Sequence, residues 1–221
     1  MNGFDTTVVL ATSNPGKLAE FKALLEGIPI ELLSAAEVLG EMPSVIEDGE
    51  TFEANAIKKA RAIAEDALML TLADDSGLEV DVLQGAPGVR SARFAGERAT
   101  DAENNQALLQ ALRDVPQEDR RARFRCVLCV IDPWSAAEGL VVAEGTCEGL
   151  IARSPRGSGG FGYDPLFVVD GGDRTMAELS DGEKNRVSHR ARAVAALRPK
   201  LMRLLEDRAV TTERISVLGL P

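Results

Sequence analysis

The stretch Ala73-Asp74-Asp75-Ser76-Gly77-Leu78-Glu79-Val80-Asp81 constrains this chain more than any other. An apolar run, Ala67-Leu68-Met69-Leu70-Thr71-Leu72, leads into it and reads as a buried strand ending in two adjacent carboxylates and then Ser-Gly. Adjacent residues of a strand point to opposite sides, and two carboxylates buried together repel. At least one must meet solvent, a cation or a basic partner. Strand ends beside loops are where α/β proteins bind ligands. The competing reading is a plain strand-to-turn junction, where Asp, Ser and Gly are common for turn reasons alone.

Other segments supply candidate partners. Thr7-Val8-Val9-Leu10-Ala11 is β-rich, and Thr12-Ser13-Asn14-Pro15-Gly16-Lys17 then leads into helical spacing over residues 18–25. Ser13 or Asn14 suits an N-cap, and Pro15 suits the first turn. A helix N-terminus offers free N–H groups and the positive dipole end, which with Lys17 suits a phosphate. The stretch lacks GxxxxGK[ST], so it is no P-loop; a plain capped helix start is the alternative. Glu47-Asp48-Gly49-Glu50 is acidic, and Thr51 opens a helix over residues 52 to about 66. Phe52, Ala56, Ile57, Ala60, Ile63 and Ala64 form its buried face. Taken alone these acids read as solvated surface. Beside the strand carboxylates they suit an oxygen-preferring ion such as Mg²⁺.

Thr100-Asp101-Ala102-Glu103 and Ser180-Asp181-Gly182-Glu183 are capping boxes. They predict helices over residues 101–114 and from 181 through Lys184, Ser188, His189 and Arg190 to about 205, with Pro199 kinking or dividing the second. Residues 123–131 and 140–151 read as strands, antiparallel across a short Pro133-Trp134 link. Gly157, Gly159 and Gly162 formally fit GxGxxG, but they precede a strand and open no helix, so no dinucleotide site is implied. Glycines around Phe161 and Tyr163 allow close backbone approach and an aromatic face for a planar ligand; a flexible loop with buried aromatics is the alternative.

Charge and cysteine usage exclude several classes. The net charge of -10 argues against a general nucleic-acid surface. A polyanion handled here needs locally concentrated cations or a borrowed metal. No apolar run spans a bilayer. Met1-Asn2-Gly3-Phe4-Asp5 lacks the parts of a signal peptide. The expected location is the cytoplasm, with no membrane and no nucleic-acid partner. Three cysteines form no complete disulfide framework. Cys126 and Cys129 make a CxxC on a strand, where positions three apart face opposite ways, so both are expected in the core. His189 is the single histidine, which excludes a His-pair metal site and leaves no compelling catalytic triad.

The expected fold is α/β, a mixed sheet flanked by helices, in two lobes with a central active-site cleft. Residues 7–207 form one domain, between an N-terminal lead (1–6) and a C-terminal tail (208–221).

In order and spacing, TSNPGK (12–17), EDGETFEANAIKKA (47–60), ADDSGLEVD (73–81), GAPGVRSARFAG (85–96), GGFGYDPLF (159–167) and EKNRVSHRARA (183–193) together resemble the inosine/xanthosine triphosphate pyrophosphatases. The resemblance covers residues 7 to 198. It implies hydrolysis of ITP, dITP or XTP to the monophosphate and pyrophosphate, with Mg²⁺, by a homodimer. It places the triphosphate on Thr12, Ser13, Asn14, Pro15, Gly16 and Lys17. Mg²⁺ falls on Glu47 and Asp75, with Asp75 the catalytic proton acceptor. Ser76 is assigned to substrate contact, and Phe161, Gly162, Tyr163, Asp164, Lys184, His189 and Arg190 to the nucleotide and base pocket. Whether Asp74 ligates metal or supports Asp75 is left open. So are two other classes, a pyrophosphatase for pyrimidine or modified nucleotides and a non-catalytic nucleotide-binding protein.

Overall fold

The computed structural model describes residues 6–135 and 139–218, with side chains through residue 210. The N-terminal lead up to residue 5 and the last three residues of the tail lie outside the described residues. A six-stranded mixed sheet of order β2-β1-β3-β4-β5-β6 forms the centre. β1 (Thr6–Leu10) runs parallel to β2 (Ile30–Ser34) and to the start of β3 (Thr71–Val80). β4 (Arg121–Ile131), β5 (Leu140–Ile151) and β6 (Phe167–Val169) add on antiparallel, as the short β4–β5 link predicts. The helices are α1 (Pro15–Leu24), α2 (Ala35–Leu39), α3 (Phe52–Ala67), α4 (Asp101–Ala111), α5 (Asp181–Val187) and α6 (His189–Leu218). Among the described residues, no helix is long and apolar enough to cross a membrane.

Period-two alternation sorts the core into two faces. Val8, Leu10, Leu72, Cys126 and Leu128 pack with Phe21 of α1 and with Val194, Leu197 and Leu201 of α6. Each such large side chain, fully buried, contributes about 1.5–3 kcal/mol. Val9, Ala73, Val127 and Cys129 face the other way, against Phe52, Ala56, Ala60 and Ile63 of α3. The two cysteines of the CxxC therefore belong to different faces. Burial pushes the Cys129 thiol to about 12. A further cluster, on Leu78, Val80, Phe124, Leu108 and Leu112, lies farther along β3 and β4 under α4. Strand pairing is continuous from β2 to β6, so the sheet itself is not split into lobes. The gap lies in the packing, between Leu72 and Leu78 on one face of β3, where Asp74 and Ser76 stand.

Two expectations are corrected. β3 does not end at the acidic pair; it continues to Val80, paired with β4 throughout. What ends is its other neighbour. β1 pairs with β3 only at Thr71 and Leu72, because past Leu10 the chain turns away into the Thr12–Lys17 segment. The edge of β3 beyond Leu72 is thereby opened, and the acidic pair sits in mid-strand at its opening. The helix expected to kink or divide at Pro199 does not divide there. α6 runs through Pro199 and on into the tail segment, and the division falls at Ser188. Ser188 has extended backbone, donates its N–H to the Lys184 carbonyl, and accepts from the Ala191 N–H through its hydroxyl. One residue thus closes α5 and opens α6.

Gly145 fixes where α6 begins. A Cβ there would overlap the backbone of His189, Arg192 and Ala193, so only glycine lets β5 and the first turn of α6 come this close.

Candidate active site

The opened edge of β3 floors a cleft of about 350 Å³. Its walls hold Thr12, Ser13 and Asn14 from the β1–α1 turn, Lys17 from the first turn of α1 and Glu47 from the acidic loop. Ser76, Phe161, Gly162, Tyr163, Asp164, His189 and Arg190 complete the set expected there. Pro15, Gly16, Lys184 and Asp75 do not line it. Pro15 and Gly16 are exposed in the first turn of α1. Lys184 and Asp75 stand behind the wall and act on groups that do line it.

Alternation decides what each carboxylate meets. Asp74 and Ser76 point to the α1/α6 face. Asp74 Oδ1 accepts from Lys17 Nζ at 2.8 Å, and Oδ2 accepts from Ser76 Oγ at 2.9 Å and from Arg190 Nε at 3.4 Å. Burial opposes its charge, but Lys17, Arg190 and Lys59 hold its carboxyl far below the ordinary value. Asp75 points to the α3 face, where its Oδ1 accepts from Lys59 Nζ at 3.0 Å. The same ammonium reaches Glu47 Oε2 at 3.1 Å. Asp75 Oδ2 is buried with no hydrogen-bond partner. Burial raises this carboxyl, Lys59 opposes, and Glu47 and Asp74 add to the rise. Lys59, with three carboxylates around one cation, is raised despite its own burial.

Lys59 is the residue that sequence reasoning missed. Its signal was available: with Phe52, Ala56 and Ile63 it completes the i, i+4, i+7, i+11 stripe of α3, a lysine set in an apolar face. Asn55 shares that face. Fully buried, it accepts from the Gly49 N–H at 2.8 Å and ties the acidic loop to α3. Arg93 Nη2 donates to the Glu47 carbonyl at 2.8 Å and braces the loop from the other side.

The start of α1 has the expected cap but not the expected free N–H groups. Asn14 caps it, and its Oδ1 accepts from the Gly16 and Lys17 N–H groups at 2.8 and 3.1 Å. Those donors are engaged by the cap, and the Asn14 N–H is engaged by Thr12 Oγ1. The Lys17 ammonium and the exposed Ser13 are what this turn presents to an anion.

At the other end, Phe161 lies 5.0 Å from both Lys184 Nζ and the Arg190 guanidinium carbon, measured to the ring centroid. Asp164 Oδ2 accepts from Lys184 Nζ at 2.7 Å and from the Phe161 N–H at 3.1 Å, so Lys184 shapes the loop from behind. α4 holds the same loop: Asp101 accepts from the Gly162 N–H and Asn105 donates to its carbonyl, both at 2.7 Å. Tyr163 gives its hydroxyl to the Ser91 carbonyl at 2.8 Å and serves as packing. His189 stacks on Phe124 with ring centroids 4.8 Å apart. Its Nδ1 is buried without a partner, and burial keeps the imidazole neutral by pushing it well below its ordinary value.

The chain has relatives of known sequence and structure. Residues 8–200 match the Ham1 family. The dITP/XTP pyrophosphatase of Bacillus licheniformis is 49% identical over 190 residues, covering 86% of this chain and 95% of that protein. That of Geobacter sulfurreducens is 50% identical over 196 residues, covering 89% and 96%. A Ham1 protein structure from Coxiella burnetii is similar with a TM-score of 0.78 and 43% identity, over 91% of this chain and 99% of that one. The family match spans most of the chain and takes in every wall of the cleft, and this chain belongs to the Ham1 family.

Proposed function

We propose that this chain hydrolyses non-standard purine nucleoside triphosphates, ITP, dITP and XTP, to the nucleoside monophosphate and pyrophosphate. The observation that carries the reading is one cleft with a cationic end, an aromatic end and a lysine-bridged carboxylate pair beside them. Relatives near half identical bear the name dITP/XTP pyrophosphatase.

Lys17 and Ser13 receive the phosphates. Phe161 offers a planar face to the base, and Arg190 has N–H groups beyond those given to Asp74, Ser76 and Glu20. A 6-oxo purine presents an acceptor where adenine presents a donor, so such donors favour the oxo base. Asp75, whose carboxyl burial pushes above its ordinary value, suits a proton acceptor for the attacking water. Lys59 holds Asp75 and Glu47 together and offsets charge beside the phosphates.

The residues fit Mg²⁺. Glu47 and Asp75 converge on one cation, Asp75 Oδ2 lacks any partner, and Mg²⁺ is commonly held by one or two carboxylates together with substrate phosphate. When bound, the ion stabilises charge developing on the leaving pyrophosphate.

A pyrophosphate-release assay over ITP, XTP, dITP, GTP, ATP and dUTP, with and without Mg²⁺, tests the reading. IMP and pyrophosphate should appear from ITP in equal amounts. Stepwise orthophosphate release through IDP, or preference for dUTP, would overturn it. We extend the reading to a homodimer working in the cytoplasm. The family resemblance supports the dimer, and the buried free cysteines accord with a reducing compartment. A monomeric mass by light scattering would overturn the dimer.

A further inference from the structure

We propose that Asp74 is a positioning residue that seats the Lys17 ammonium and the Arg190 guanidinium on one carboxylate, coupling the phosphate end of the cleft to its base end. The proposal rests on the triphosphate reading above. Asp74 is 2% exposed, and its two cations lie 57 and 116 residues away in sequence, brought to it by α1 and α6. Both of its oxygens are engaged. Arg190 Nη2 donates at 2.9 Å to the same Ser76 hydroxyl that donates to Asp74, which closes a ring of contacts. Arg190 Nη1 donates at 3.3 Å to Glu20, three residues beyond Lys17 on α1.

The geometry has a chemical consequence. One N–H of Lys17 goes to Asp74, and because Lys17 lines the cleft the other two are left for a phosphate there. When a phosphate draws Lys17 away, Asp74 has more of its charge left for Arg190, and the guanidinium settles differently beneath Phe161. Substitutions at the two ends then fail to act independently. An Asn at position 74 keeps the shape but must turn one N–H₂ against a cation, so it cannot hold both.

A double-mutant cycle tests this. ITP binding is measured with magnesium chelated, so that no turnover occurs, and kcat/KM is measured with magnesium present. The variants are Lys17→Met, Arg190→Lys and both together, in the natural chain and in Asp74→Asn, each checked by thermal melting. With Asp74 in place, the double variant should differ from the product of the single effects by about fivefold or more; with Asp74→Asn the effects should multiply within about twofold. A role confined to stability would lower the melting temperature and leave the coupling unchanged, which overturns the proposal. If Asp74→Asn does not fold, the cycle in the natural chain decides, since independent effects there overturn it. Coupled binding without ITP hydrolysis would remove the hydrolase reading and keep the linkage.

Discussion

On one face of β3 Asp74 has every oxygen partnered, and on the other Asp75 has one oxygen buried and empty-handed. The two are adjacent in sequence and each meets a lysine, yet their environments drive their carboxyls in opposite directions. The cause is the ratio of charges. Asp74 sits among Lys17, Arg190 and a hydroxyl, so its ionised form is stabilised in spite of burial. Asp75 shares Lys59 with Glu47, so burial and like charge prevail. A satisfied carboxylate holds other groups in place; an unsatisfied one has capacity left for a proton or a metal ion.

Substitution of Asp75 tests that distinction most strongly. Asp75→Asn should fold and lose nearly all turnover, because a carboxamide neither accepts the water's proton nor serves well as a metal ligand. Loss of the general base alone costs about 10²–10⁴-fold. The measurement is pyrophosphate release from ITP with melting as a control. Activity within a few-fold of wild type would move the catalytic role across the strand to Asp74.

Lys59 comes next, since its hydrogen bonds go to Asp75 and Glu47 and it reaches Asp74 only through the field. Lys59→Met should lower kcat by about 10²-fold, the scale of removing one preorganised charge-stabilising donor. KM for ITP should change little, because Lys17 and Arg190 are untouched. A raised KM with unchanged kcat would instead make Lys59 part of uniform substrate binding.

Lys59 shows where sequence pattern stops short of the site. Local signals were legible: the capping boxes at Thr100 and Ser180, the β4–β5 pair, the α3 face and the opposed cysteines all follow from short-range pattern. The family resemblance named most of the side chains that line the cleft, but also Pro15, Gly16, Lys184 and Asp75, which do not, and it did not say how the members connect. Lys59 was passed over because a lysine among alanines reads as a surface residue until its partners, Asp75 and Glu47, are brought in from 16 and 12 residues away. The end of β3 was misjudged for a similar reason. Where a strand stops depends on its neighbours, and β4 arrives from 40 residues downstream to carry β3 past the acidic pair. The Asn14 cap shows the limit of reasoning from helix ends, since a free N-terminus and a self-capped one share one sequence pattern.

A smaller perturbation reaches only the Asp74 face. Gly145→Ala should push the first turn of α6 away from β5 and carry Arg190 with it. Overpacking of this kind costs about 1–3 kcal/mol, and for a chain of this size each kcal/mol lowers the melting temperature by roughly 2–4 °C. kcat/KM for ITP should fall more than kcat at saturation, since Lys59 and Asp75 lie on the far side of the sheet. An equal loss in both would mean that the two faces are not separable.

The smallest effect is also the most direct comparison of the two carboxylates, and it is read in stability against pH in metal-free buffer. An unfolded Asp titrates near 3.9. Asp74 is depressed in the fold, so its contribution is fully present above that value and is lost as pH falls below it. Asp75 is raised, so between its folded value and about 3.9 the folded chain holds a proton that the unfolded chain has released, and the stability contributed there rises as pH falls. Melting temperatures of wild type, Asp74→Asn and Asp75→Asn from pH 7 to pH 3 separate the two. The gap between wild type and Asp74→Asn should stay level down to roughly pH 4 and then shrink. The gap between wild type and Asp75→Asn should move in favour of wild type as pH falls toward about 4, and then level off. Parallel slopes would mean that Asp74 and Asp75 share one electrostatic environment, and the separation imposed by the pleat of β3 would have no chemical consequence.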